Sequence, residues 1–133
     1  DYTCDIKHEG TDVTIVAYSA MVKEALKAAE ELEKEGISAE VVDLRSIRPF
    51  DADTVIKSVN KTGRLVVVQE ANLCAGFGAE VAATVQNACF KTLKAPIQRI
   101  GAPNVPVPFS PVLEKAYLPN GDKVIAAVKA CLQ

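Results

Sequence analysis

The sequence has no CxxC pair among its four cysteines (Cys4, Cys74, Cys89 and Cys131) and a single histidine, His8. A zinc site needs several thiolate or imidazole ligands brought together. The thiols therefore read as free cysteines of a reducing compartment, without a bound metal. No apolar run approaches the roughly 20 residues of a membrane span. Neither sign of charge dominates: 15 Lys and Arg stand against 17 Asp and Glu, a net charge of −2. That balance lacks both a nucleic-acid footprint and a polybasic membrane contact. The opening stretch, 1–12, is charged and polar, without the apolar core of a secretion signal.

What remains is an ordinary globular composition, 49% hydrophobic and 24% charged over 133 residues, enough for one domain around one core. Strand and helix signals alternate. Residues 13–18 form a β-branched run and read as a buried strand. Val22, Ala25, Leu26, Ala29 and Leu32 then recur at helical spacing, and Gly36 is the expected stop. A second strand covers 39–44. Asp51 is a plausible N-cap for a short helix carrying Val55, Ile56 and Val59, closed by Gly63. Residues 65–69 are a third, strongly apolar strand. The next helix has Val81, Val85, Cys89 and Leu93 as its inner stripe, and 97–100 is a fourth strand. A last helix over 122–132 points Val124, Ile125, Val128 and Leu132 inward. This alternation predicts a three-layer α/β fold, a mostly parallel sheet with helices on both faces. The longest apolar runs, 13–18 and 65–69, belong at its centre. Residues 1–11 read as the tail of an upstream connection and 12–133 as the domain. Cys89 is expected to be buried and slow to alkylate, and Cys74, in a loop, to react faster.

In open α/β sheets ligands bind beyond the carboxyl ends of the strands. Here those ends offer Ser19, Arg45, Arg48, Glu70 and the pair Gly76 and Gly78. Ser19 lies outside a GxSxG elbow and has no His/Asp set around it. Gly76-Phe77-Gly78 opens a helix, so its amides could hold a phosphate. Val81 stands where a third fingerprint glycine would be, and close packing at the helix start is the simpler account. Glu70 ends the most buried strand; a structural role, capping a helix or pairing with Arg45 or Arg48, is favoured over that of a tuned acid. The two arginines clamp an acidic group or, more simply, make surface ion pairs. His8 reads as solvated. No catalytic, cofactor-binding or metal-binding constellation emerges. The proline-rich segment 103–111 differs in kind: Val105, Val107 and Phe109 alternate with prolines on a stiff backbone. It either folds back on the core or meets a partner.

The words carrying a family likeness are Asp12-Val13-Thr14-Ile15-Val16, the run from Glu40 to Asp51, and Lys61 to Ala71. Gly76-Phe77-Gly78-Ala79-Glu80, Leu93 to Ile97, Gly101-Ala102-Pro103 and Val105-Pro106-Val107-Pro108 complete them. In this order and spacing the chain resembles the C-terminal domain of transketolase-like thiamine-diphosphate enzymes, most closely the E1 β subunits of 2-oxo acid dehydrogenase complexes of pyruvate or branched-chain type. The resemblance implies a domain that follows a larger one binding the cofactor's pyrimidine end. It implies an E1 α subunit that supplies the diphosphate and Mg²⁺ site, a second β subunit, and docking to the peripheral-subunit-binding domain of the E2 acyltransferase. The cofactor carries the hard chemistry in such enzymes. No catalytic residue of the family maps onto this chain, so the domain alone is expected to be inactive, serving assembly and E2 docking through Val105, Val107 and Phe109. The implied location is the bacterial cytoplasm or the mitochondrial matrix. Another transketolase-like enzyme and a stand-alone flavodoxin-like nucleotide-binding domain are the alternative readings.

Overall fold

A computed structural model of the chain describes residues 3–72, 76–102 and 119–133. Among the described residues five strands make one sheet: β1 (Asp5–His8), β2 (Val13–Ala17), β3 (Ala39–Asp43), β4 (Leu65–Asn72) and β5 (Gln98–Ala102). Their order is β1-β3-β2-β4-β5. The pairs β2 with β3, β2 with β4 and β4 with β5 are parallel, and β1 lies antiparallel on β3. The expected four strands are present, and β2 and β4 are interior as anticipated. β4 runs on to Asn72, and β5 begins one residue late.

Four helices stand among the described residues: α1 (Met21–Lys34), α2 (Ala52–Thr62), α3 (Gly78–Cys89) and α4 (Gly121–Cys131). Alternation along β2 decides which covers which face, because successive side chains point to opposite sides. Val13, Ile15 and Ala17 join Ala25, Ala29 and Leu32 of α1 and Val124 and Val128 of α4. Val16 joins Val55 and Val59 of α2 and Val81, Val85 and Cys89 of α3. The result is three layers. Each fully buried valine, leucine or isoleucine is worth about 1.5–3 kcal/mol, and the chain supplies covers for both faces of its own sheet.

Local chemistry sets the helix ends. At the end of α1, Gly36 (φ +81°) donates its amide to Glu33 and Ile37 donates to Leu32, a Schellman pair that a left-handed glycine permits. At the start of α2, Asp51 accepts from the Thr54 amide at 3.2 Å, as the sequence suggests, and also from the Thr54 hydroxyl and the Cys4 amide. Asp51→Ala is therefore expected to cost about 1–2 kcal/mol, read as a lower urea midpoint with unchanged slope.

Two expectations need correction. In α4 the inward positions are Val124, Val128 and Cys131, whereas Leu132 is 36% exposed. Counting 100° per residue puts Cys131 on the line of Val124 and Val128, and Leu132 about 80° round from Val124. His8 is not a solvated tail residue: its ring Nδ1 lies 2.7 Å from the Ala39 carbonyl oxygen, in the edge strand β1. The helix–strand alternation made no provision for that strand.

Candidate functional site

The strand order reverses between β2 and β4: β3 follows β2 on one side, and β4 and β5 extend on the other. Ligand crevices of open α/β sheets form beyond the strand ends at this switch point. Here the chain's own side chains occupy it. Tyr18, just past β2, meets Phe77, just before α3, edge to face at 6.1 Å. The Gly78 amide, at the head of α3, donates to the buried Gln69 Oε1 at 2.8 Å. A Cβ on Gly78 would stand 2.2 Å from that oxygen. Gly78 is thus required for close helix-to-strand packing, and its N–H is not free for a phosphate.

The other sequence candidates do not converge. Glu70 is exposed and makes no ion pair with Arg45 or Arg48 among the described residues. Both arginines are exposed as well, and neither makes an ion pair within the described residues. Ser19 is exposed. Ser19 (φ +57°) and Arg45 (φ +62°) are non-glycine residues in the left-handed region, both just beyond strand ends. Such conformations cost on the order of 1–3 kcal/mol; the sequence gives no sign of them. Cys89 is buried, as expected, and so are Cys4 and Cys131. Burial pushes the Cys4 thiol up to about 11, with the Asp51 carboxylate adding to it, and burial alone raises Cys89. Cys74, Val105, Val107 and Phe109 lie outside the described residues.

The polar centre of the domain sits toward the other end of the strands, and the sequence reading passed it by. Glu40 of β3 is 3% exposed. It accepts from Ser58 at 2.6 Å, from the Gly10 amide at 3.2 Å and from the Lys61 ammonium. Thr14 of β2 lies 2.7 Å from the Ser58 hydroxyl and 2.8 Å from that of Thr62. An ionised carboxylate can only accept. Ser58 must then donate to Glu40, which leaves the Ser58 oxygen to accept from Thr14, while the Thr62 hydroxyl also reaches the Arg64 carbonyl oxygen at 3.1 Å. Burial pushes the Glu40 carboxyl up, but the Lys61, Ser58 and Gly10 donors outweigh it and hold the group below its ordinary value of 4.5. A signal was available: a carboxylate inside an apolar strand, with Ser58, Lys61 and Thr62 at helical spacing on α2. No buried side-chain donor or acceptor among the described residues lacks a partner, so the cluster locks β3, α2 and the segment before β2 together.

Among the described residues, no three His, Cys, Asp or Glu side chains gather as metal ligands. The Gly78 amide at the head of α3 is taken by Gln69. No described helix is long and apolar enough to cross a membrane.

The family model of the transketolase C-terminal domain matches residues 3–124. The chain belongs to that family. This transketolase C-terminal domain is 51% identical over 129 residues to the pyruvate dehydrogenase E1 component subunit beta of Bacillus subtilis, covering 97% of the chain and 39% of that protein. It is 48% identical over 138 residues to the subunit of the same name from Staphylococcus aureus, covering all of the chain and 42% of that protein. The chain thus spans about two fifths of the length of these relatives. Among solved structures it is similar to a split-gene transketolase described as an inactive β4 tetramer. That match has a TM-score of 0.79 and 34% identity over 97% of this chain and 41% of the other. The three-layer fold and the likeness to E1 β subunits expected from the sequence both stand.

Proposed function

We propose that this transketolase C-terminal domain is the C-terminal part of a pyruvate dehydrogenase E1 β subunit, acting in assembly and not in bond chemistry. The observation that carries the reading is about 50% identity to E1 β subunits over nearly the whole chain. The switch point filled by Tyr18, Phe77 and Gln69 supports a non-catalytic role. In the complete enzyme, thiamine diphosphate and Mg²⁺ belong to the upstream β domain and the E1 α subunit. The enzyme decarboxylates pyruvate in the bacterial cytoplasm or the mitochondrial matrix and passes the acyl group to E2. Residues 1–11 then continue a connection from the upstream domain, although β1 also pairs with the sheet.

The partners of this domain are the E1 α subunit, a second β subunit and the E2 peripheral-subunit-binding domain. The likeness to a chain described as a β4 tetramer supports association between β-type chains. Val105, Val107 and Phe109 are the proposed contact strip, since apolar side chains on a proline-stiffened backbone lose little entropy on docking. The test uses a full-length β subunit carrying Val107→Ser and Phe109→Ser. It should stay folded, with unchanged melting, while co-purification with E1 α or E2 and pyruvate decarboxylation by the assembled complex fall at least about tenfold. Lower melting with intact assembly would make the strip core. Micromolar thiamine-diphosphate binding by the 133-residue chain alone, measured by calorimetry, would overturn the assembly reading itself.

A further inference from the structure

Helix α2 carries a polar stripe beside its apolar one. Thr54, Lys57, Ser58 and Lys61 recur at i, i+3, i+4 and i+7, so they share one side of the helix. Val55 and Val59 pack with Val16 of β2 and Val42 of β3. The edge strand β1 lies beyond β3. Between the polar stripe and β1 stands a cavity of about 560 Å³, with Ile6 and Glu9 on its β1 side and the buried Glu40 among its lining. Small-molecule sites span about 300–1,000 Å³. Ile6 is 36% exposed, so the wall it offers is apolar and open.

The charged groups of this cavity are unevenly engaged. Glu40 is satisfied by Ser58, the Gly10 amide and Lys61. An ammonium carries three donors, and Lys61 gives one of them to Glu40. Lys57 and Glu9 make no hydrogen bond or ion pair among the described residues. The α2 wall therefore has spare donors and a surplus positive charge. The β1 side has a spare carboxylate next to an apolar surface. We propose that the cavity binds an apolar α-amino acid. Its carboxylate bridges Lys57 and Lys61, one helical turn apart. Its ammonium lies on Glu9, and its hydrocarbon covers Ile6. Two lysines and two glutamates sum to zero, as does the zwitterion, so no charge in the filled cavity is left without a partner. A nucleotide would instead bring several negative charges toward Glu9 and Glu40, and the cavity selects against it. Such a site goes beyond the assembly role and does not rest on it.

Titration of the 133-residue chain with L-leucine, followed by amide NMR, tests it. The amides of residues 6–10 and 54–61 should shift together and saturate, with a Kd of about a millimolar or less. Isocaproate, which lacks the ammonium, and isopentylamine, which lacks the carboxylate, should each bind at least about tenfold more weakly. Lys57→Met and Glu9→Gln should each weaken leucine binding by a similar factor. Both positions are exposed, so the variants should keep the wild-type melting temperature. Lys27→Met, on α1, is the control and should bind leucine like the wild type. Shifts that never saturate, or that fall outside the cavity, would overturn the inference. So would isocaproate or inorganic phosphate binding as tightly as leucine, which would make the cavity a general anion site. Folded Lys57→Met and Glu9→Gln variants with unchanged leucine affinity would overturn it as well.

Discussion

Replacing Glu40 with alanine is expected to lower the free energy of unfolding by about 2–4 kcal/mol. The carboxylate is 3% exposed and receives three donors. Its removal leaves the Gly10 amide and the Ser58 hydroxyl buried without their acceptor, at about 1–3 kcal/mol for each unsatisfied group. Lys61 suffers less, because its side chain is 47% exposed and its ammonium can return to water. The loss should appear as a fall in melting temperature on the order of 10 °C. Lys61→Met should cost much less than Glu40→Ala. If the two variants melted together, the ion pair and not the buried donor set would be the source of stability.

The same carboxylate fixes the direction of the acid response. Glu40 titrates below its ordinary 4.5, and Asp51, capped by Thr54 and the Cys4 amide, below its ordinary 3.8. Both groups are therefore easier to protonate in the unfolded chain than in the folded one. Their contribution is complete above pH 4.5 and is lost as pH falls through the lower folded values. Glu40→Gln should be less stable than the wild type near neutrality, and the gap between them should narrow in acid. A gap that widened as pH fell would contradict the assigned direction.

The elements that the sequence announces are those with a strong period. β2 and β4 are β-branched runs buried on both faces, and the stripe of α3 repeats Val81, Val85 and Cys89. The edge strand β1 lacks such a signal: Asp5, Ile6, Lys7 and His8 contain one apolar residue, and the strand exists because β3 offers it an open edge. The inversion of Cys131 and Leu132 has a similar origin, since both are apolar and only the helical phase separates them. At the candidate site, the location beyond the strand ends follows from the α/β alternation. Its occupancy does not, because Tyr18 and Phe77 are distant in sequence and meet only once β2 and β4 are neighbours. The Glu40 cluster escaped for a different reason. Reading strands by hydrophobicity treats a lone carboxylate as noise, whereas its worth lies in three donors from two separate segments, Gly10 before β2 and Ser58 and Lys61 on α2.

Gly10→Ala is expected to be among the most damaging single substitutions, at about 3 kcal/mol or somewhat more, the upper end of overpacking costs. A Cβ at this position would stand 2.2 Å from the Ala39 carbonyl carbon, and 2.5 Å from both the Ala39 oxygen and the Glu40 nitrogen. These are backbone atoms of β3, itself paired on both sides, so no side chain can swing away to make room. The segment before β2 must back off, and several bonds go with it. Gly10 N–H to Glu40 (3.2 Å), Thr11 N–H to the Ser38 hydroxyl (3.0 Å) and the His8 ring contact with Ala39 (2.7 Å) all span that gap. Gly36→Ala is the control for the loss of a glycine as such. It meets nothing within 4 Å, but its φ of +81° disfavours a side chain, at about 1 kcal/mol. Melting combined with amide exchange separates two ways for Gly10→Ala to act. A large fall in melting temperature means that the segment is integral to the domain. Nearly unchanged melting with fast exchange at residues 5–8 means that β1 detaches and the remaining sheet folds without it. Unchanged melting with protected β1 amides would show that β3 yields to a methyl group, and the close approach would then have no energetic consequence.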